Sequence, residues 1–121
     1  MPERDFLDIV DEIRERDPRY RREAYLFIMA ALDRVVSGLS RPRHVSGQEL
    51  LAGAVDLARE QFGPLAHTVT EEWGLATSLD VGNVVFHLVE AGLLGRQPTD
   101  SLDDFQGGID LRHELEPRAS S

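Results

Sequence analysis

Two histidine–carboxylate pairs stand at helical spacing in this sequence, His67 with Glu71 at i, i+4 and His87 with Glu90 at i, i+3. Residues three and four apart share one face of a helix, so each pair can offer a nitrogen and an oxygen to a divalent cation. Two such faces in contact would make a two-His, two-carboxylate site. The spacing is not His-Glu-x-x-His, and the order reverses the Glu-x-x-His of carboxylate-bridged bundles. Solvated helix faces are the simpler account, so no metal or cofactor is expected.

Other chemistries fare worse. Cysteine and lysine are absent and every basic residue is arginine, which excludes thiolate sites, disulfides, Schiff bases and a P-loop lysine. With 22 acids in the chain, neighbours such as Glu71-Glu72 and Asp103-Asp104 arise without catalytic meaning. Ser37, Ser40, Ser46, Ser78 and Ser101 lack a nucleophile elbow, and Gly107-Gly108 reads as a turn rather than a phosphate cradle. No catalytic residue is assigned, and the chain leans away from being an enzyme.

Arginine is the remaining recognition chemistry. Arg14, Arg16, Arg19, Arg21 and Arg22 cluster in sequence, joined by Arg41 and Arg43 around His44. Guanidinium forks bind phosphate or carboxylate bidentately, which makes Arg19, Arg21, Arg22, Arg41, Arg43 and His44 candidate anion or partner contacts. The interleaved Glu12, Glu15, Asp17 and Glu23 offer the alternative of surface ion pairs. Net charge is −9, and it is uneven. Residues 1–60 hold 10 Arg against 12 acids, whereas residues 61–121 hold 3 against 10. An acidic second half argues against a phosphate backbone as its partner.

These residues must be positioned by helices. Behind Asp5, a plausible N-cap, Phe6, Ile9, Val10 and Ile13 predict a first helix over about 5–16. Asp17-Pro18 reads as a cap with proline at the first helical position, opening a second helix to about Leu39. Tyr25, Ile28, Ala31, Leu32, Val35, Val36 and Leu39 form its inward stripe, widened by Ala24, Phe27 and Met29. Ser46-Gly47-Gln48-Glu49 is a capping box, and Leu50, Leu51, Ala54, Val55, Ala58 and Phe62 follow at helical spacing up to Gly63. A fourth helix starts at Pro64, with Leu65, Ala66, Val69 and Trp73 on one face; Thr77 or Ser78 caps a fifth, with Val81, Val84, Val85, Leu88 and Val89 inward. Leu93-Leu94 and a return segment through Phe105, Ile109 and Leu111 predict a small C-terminal β-hairpin. The expectation is a single, mainly α domain over residues 1–115, with a flexible tail at 116–121. No apolar run of about 18 residues and no leader-like N-terminus is seen, so no membrane contact and a cytoplasmic location are expected.

Helices three to five followed by a hairpin is the order of a winged helix, in which the last helix enters the major groove. From Leu79 to Gly92, however, there is no arginine, and only Asn83 suits a base edge. The wing offers Arg96 against Asp100, Asp103 and Asp104. A winged-helix-like shape used for protein contact is therefore expected, with Asn83, Phe86 and His87 as its partner surface. Trp73 and Phe86 read either as core or as exposed anchors for a partner.

The runs Asp17-Pro18-Arg19-Tyr20, Ala24-Tyr25-Leu26-Phe27, Pro42-Arg43-His44-Val45-Ser46-Gly47-Gln48-Glu49-Leu50-Leu51 and Gln61-Phe62-Gly63-Pro64 resemble a family of short bacterial proteins. It is the uncharacterised conserved family named after Planctomycetes and Verrucomicrobia. Glu72-Trp73-Gly74, Val89-Glu90-Ala91-Gly92-Leu93-Leu94 and Asp103-Asp104-Phe105 look like its later blocks, so the resemblance spans about residues 5–112. It implies no activity, cofactor or catalytic residue, but it singles out Pro42-Arg43-His44. After Asp110 this chain continues Leu111-Arg112-His113, departing from the family pattern. Three functions follow in order: a non-enzymatic protein-interaction or regulatory module with an unidentified protein partner, a nucleic-acid-binding regulator using the arginines at 14–22 and 41–43, and a metal-dependent enzyme.

Overall fold

The computed structural model describes residues 5–43, 45–94 and 105–116. The chain is mainly helical: α1 Phe6–Arg16, α2 Arg22–Ser37, α3 Gly47–Phe62, a 3-10 turn Gly63–Leu65, α4 Ala66–Glu72, α5 Ser78–Glu90 and a short α6 Leu111–Glu114. No strand occurs among the described residues. Among those residues no helix is long and apolar enough to cross a membrane.

Three of the helix starts are closed by capping boxes, in which a cap side chain and the residue three positions on satisfy each other's free N–H groups. Asp5 with Asp8 opens α1, Ser46 with Glu49 opens α3 and Thr77 with Asp80 opens α5. α2 differs from expectation. It starts at Arg22 without a side-chain cap, because residues 17–21 form a turn held by tertiary contacts. Tyr20 is buried in that turn, and the Arg21 N–H donates to the carbonyl of Trp73 at 3.1 Å.

α2 and α3 form the centre of the core. Ala24, Tyr25, Phe27, Ile28 and Ala31 of α2 are buried, as are Leu50, Leu51, Ala54, Val55, Leu57 and Ala58 of α3. The inward stripe of α2 fades beyond Ala31, and Val36 is exposed. On α4 the shared face is also revised. Leu65 lies in the 3-10 turn and is exposed, while the inward place goes to Thr70, whose hydroxyl donates to the carbonyl of Ala66 at 2.9 Å. A buried threonine is tolerated there because the helix supplies its acceptor.

The C-terminal segment departs most from the sequence reading. Leu111, placed above in a return strand, opens a helical turn; the outer part of the expected hairpin, residues 95–104 including Arg96, lies outside the described residues. Residues 105–115 are built into the core. Phe105 is buried against Gly82, where an added Cβ would sit 2.9 Å from the phenylalanine ring, so the missing side chain makes the seat. Asp110 accepts the Ser78 N–H at 2.8 Å, the Arg112 N–H donates to the Ala76 carbonyl at 2.9 Å, and Leu111 and Leu115 are buried. The Arg59 guanidinium reaches back from α3 to the carbonyl of Glu114 at 2.9 Å. Residues 117–121, most of the expected tail, lie outside the described residues.

Leu111→Ala is expected to cost about 2–5 kcal/mol of unfolding free energy, as a fully buried leucine does, whereas Ile109→Ala should stay within about 1 kcal/mol. Urea denaturation of the two variants checks this, and similar small losses would mean that the segment is not part of the core.

Candidate functional site

Three polar residues of α5, Asp80, Asn83 and His87, are met by the α1–α2 turn and the first turn of α2, while Glu90 is exposed. His87 receives or gives a bond at 3.0 Å between its Nδ1 and the hydroxyl of Tyr25, and its Nε2 lies 3.4 Å from Oδ2 of Asp17. The pairing assigns the tautomer. Tyr25 donates to Nδ1, leaving Nε2–H to point at the Asp17 carboxylate. The imidazole stacks on Tyr25 with centroids 6.2 Å apart.

Asp17 is in turn held by Arg19, whose Nε donates to it at 2.8 Å. That bond keeps the Asp17 carboxyl at about 2, below the ordinary carboxylate range. Burial pulls the pKa of His87 down; Asp17 and Glu90 oppose this, and Arg19 and Arg16 add to it. The resident species is therefore a neutral imidazole beside an ionised carboxylate.

One turn earlier on α5 a second group forms. The Tyr20 hydroxyl donates to Oδ1 of Asp80 at 2.8 Å and accepts from the Asn83 amide at 2.9 Å. Oδ2 of Asp80 accepts the N–H groups of Ala76 and Thr77 at 3.1 and 2.9 Å. Burial pushes both Tyr20 and Tyr25 up to about 12, so both phenols stay protonated as donors. Gly74, at φ +94°, lets the α4–α5 turn sit under the carbonyl of Arg19, which a Cβ would approach to 2.5 Å.

The expected partner surface is thus divided. Asn83 and His87 are turned into these networks, and of the three only Phe86 stays exposed. A small cleft of about 150 Å³ remains beside His87, lined by Ile13, Arg16, Asp17, His87, Glu90 and Ala91. Both ring nitrogens of His87 are already engaged, so the cleft presents no free imidazole for proton transfer.

The candidate arginines are mostly paired with carboxylates. Arg19 binds Asp17, Arg21 binds Glu72 at 3.1 Å, and Arg22 grips both oxygens of Asp11 at 3.0 Å. Arg43 makes a fork to Glu49 at 2.8 and 2.7 Å, pulling the Glu49 carboxyl down to about 2. Glu49 also caps α3, so Pro42-Arg43 closes a loop onto its own helix start, which gives that segment a structural role. Arg41 is exposed, and His44 lies outside the described residues.

The two histidine pairs are not brought together. His67 stays with Glu71 at 3.4 Å, whereas His87 turns to Asp17 rather than Glu90, and the two histidines line different clefts. Among the described residues no group of three or more metal-ligating side chains converges.

One feature is absent from the sequence reading. Phe27, Phe62 and Trp73 pack as an aromatic trio, with Trp73 5.5 Å from each of the other two by ring centroid. Beside it opens a groove of about 240 Å³ lined by Glu23, Leu26, Phe27, Ala30, Gln61 and Trp73. Leu26 is 45% exposed at its edge. The signal lay in Leu26 and Ala30, an i, i+4 apolar pair outside the inward stripe of α2. No protein-family model, curated protein or solved structure matches this chain.

The sign of the His87 effect can be tested. Its folded pKa is lowered, so the unfolded chain takes up the proton first. The contribution of His87 is present above its ordinary 6.5 and is lost as pH falls through that value toward the folded pKa. Unfolding free energy of the native chain should fall in that window by up to roughly 1.4 kcal/mol per pH unit for this one proton. His87→Gln should flatten the slope, read by urea titrations at stepped pH, and an unchanged slope would move the titration to another group.

Proposed function

We propose that this protein is a non-enzymatic, cytosolic interaction or regulatory module with a winged-helix-like arrangement of α3 to α5, and that it takes an apolar side chain of a partner polypeptide into the groove beside Trp73. The observation that carries this reading is the exposed Leu26 at the edge of an aromatic-lined recess. Recesses with aromatic and aliphatic walls and a polar rim are where anchor residues of partners gain most on burial. Here the rim is Glu23 and Gln61.

The alternative, nucleic-acid binding, needs cations free to meet phosphate. Arg19, Arg21, Arg22 and Arg43 each have a carboxylate partner, and the exposed acids of the second half would repel a phosphate backbone. A helix that reads a groove also needs an open face, and the α1–α2 turn lies over Asn83 and His87.

Affinity purification of the native chain alongside Leu26→Arg is the test. A reproducible partner recovered with the native chain and depleted about tenfold or more by Leu26→Arg supports the reading, since an exposed position should leave folding intact. A partner captured equally by both would place the binding surface elsewhere.

A further inference from the structure

We propose that His87 is a two-position switch driven by pH: neutral, it is bonded to Tyr25 in the contact between α2 and α5; protonated, it leaves Tyr25 and turns into the adjoining cleft, between the carboxylates of Asp17 and Glu90.

In the first position each proton has one acceptor. The Tyr25 hydroxyl gives its proton to Nδ1 at 3.0 Å, and Nε2–H points at Asp17 at 3.4 Å. An imidazolium carries N–H groups on both nitrogens and keeps no lone pair to accept with. Nδ1–H then faces the phenol oxygen, and the hydroxyl proton of Tyr25 must turn elsewhere. Tyr25 is fully buried, and among the described residues its hydroxyl has no hydrogen-bond partner other than His87. Burial holds the phenol at about 12, so it does not shed that proton instead. A buried donor without an acceptor is costly. That cost falls on the Tyr25 contact, whereas the Asp17 contact gains a full charge.

A second position lies beside the first. The cleft of about 150 Å³ borders the ring and is lined by Ile13, Arg16, Asp17, Glu90 and Ala91. One water needs roughly 10–15 Å³ of such space, so an imidazole ring fits. The His87 side chain is already 16% exposed. In the cleft the imidazolium keeps Asp17 and gains Glu90.

The charges around the ring set the direction. Arg16 acts on it from α1, Asp17 and Arg19 from the α1–α2 turn, and Glu90 from α5 itself. The Tyr25 phenol meets it from α2, with Arg14 of α1 acting on that phenol, and the Tyr20 ring lies 6.3 Å away. Arg19 is committed to Asp17, and Arg16 is exposed, so water screens it. Burial favours the neutral ring, while Asp17 and Glu90 favour the charged one. Moving into the cleft relieves the burial and keeps both carboxylates. Acid thereby unties α5 from α2 at this point and leaves its tie to the α1–α2 turn through Asp17.

Long-range proton–nitrogen NMR of the full chain through a pH titration tests this. Above 6.5 the expected pattern is a neutral His87 with its proton on Nε2 and through-space cross-peaks between the His87 and Tyr25 rings. As pH falls below 6.5 the cross-peaks should be lost in step with ring protonation, while the amide peaks of α3 hold their positions, which separates the switch from unfolding. Tyr25→Phe keeps the ring and removes the hydroxyl, so the His87 midpoint should rise. Glu90→Gln, at an exposed position, should lower it. A protonated ring that keeps its Tyr25 cross-peaks overturns the proposal, as does a neutral ring with its proton on Nδ1, or a midpoint indifferent to both substitutions. Should Tyr25→Phe fail to fold, the native titration and Glu90→Gln decide alone.

Discussion

The carboxylate of Asp80 ties the α1–α2 turn to the start of α5. Its Oδ2 accepts two backbone N–H groups of the α4–α5 turn, its Oδ1 accepts the Tyr20 hydroxyl, and its own N–H donates to Thr77, closing the start of α5. A partly buried carboxylate is tolerable only when its lone pairs are engaged, and here they are. The C-terminal segment depends on the same place, because the Ala76 carbonyl takes the Arg112 N–H while Ala76 donates to Asp80. Loss of this carboxylate would leave the Tyr20 hydroxyl and the N–H groups of Ala76 and Thr77 without their acceptor.

Once α5 is held in this way, its remaining faces are used in turn. Val81, Val84 and Leu88 enter the core, Gly82 seats Phe105, and Asn83 and His87 meet Tyr20 and Tyr25. α5 is thereby covered over much of its circumference, with Leu79, Phe86 and Glu90 left exposed along one side. The contact is polar where the α1–α2 turn lies, which specifies one register of that turn: the Tyr20 hydroxyl bridges Asp80 and Asn83, and a slipped turn would leave these groups unpaired.

Features set by neighbours in sequence were legible, and those set by distant partners were not. Asp5, Ser46 and Thr77 act within three residues, so their caps could be read directly. The carboxylates that close Arg19, Arg22 and Arg43 likewise lie within eleven residues in sequence, and ion pairing was one of the two readings offered. By contrast, Asn83 and His87 look like solvent-facing polar residues unless one knows that tyrosines more than sixty residues earlier supply their partners. The C-terminal alternation of Phe105, Ile109 and Leu111 is equally ambiguous. A strand against a sheet and a turn dropping side chains into holes bury the same residues, and the hole at Gly82 is a tertiary fact. Proline at position 18 predicts a helix start by local rules, yet the burial of Tyr20 outweighs that preference.

The same economy of partners bears on function. Where most arginines are matched by carboxylates and the polar face of α5 is matched by tyrosines, the surface retains little directional chemistry for a ligand. Among the described residues Leu26, Leu65, Leu79 and Phe86 stand exposed. Of these, Leu26 adjoins a recess of aromatic walls. Leu26 is 45% exposed, so burying the remainder yields at most about half of the roughly 1.5–3 kcal/mol of a fully exposed leucine, and a partner held there must gain from the aromatic walls as well.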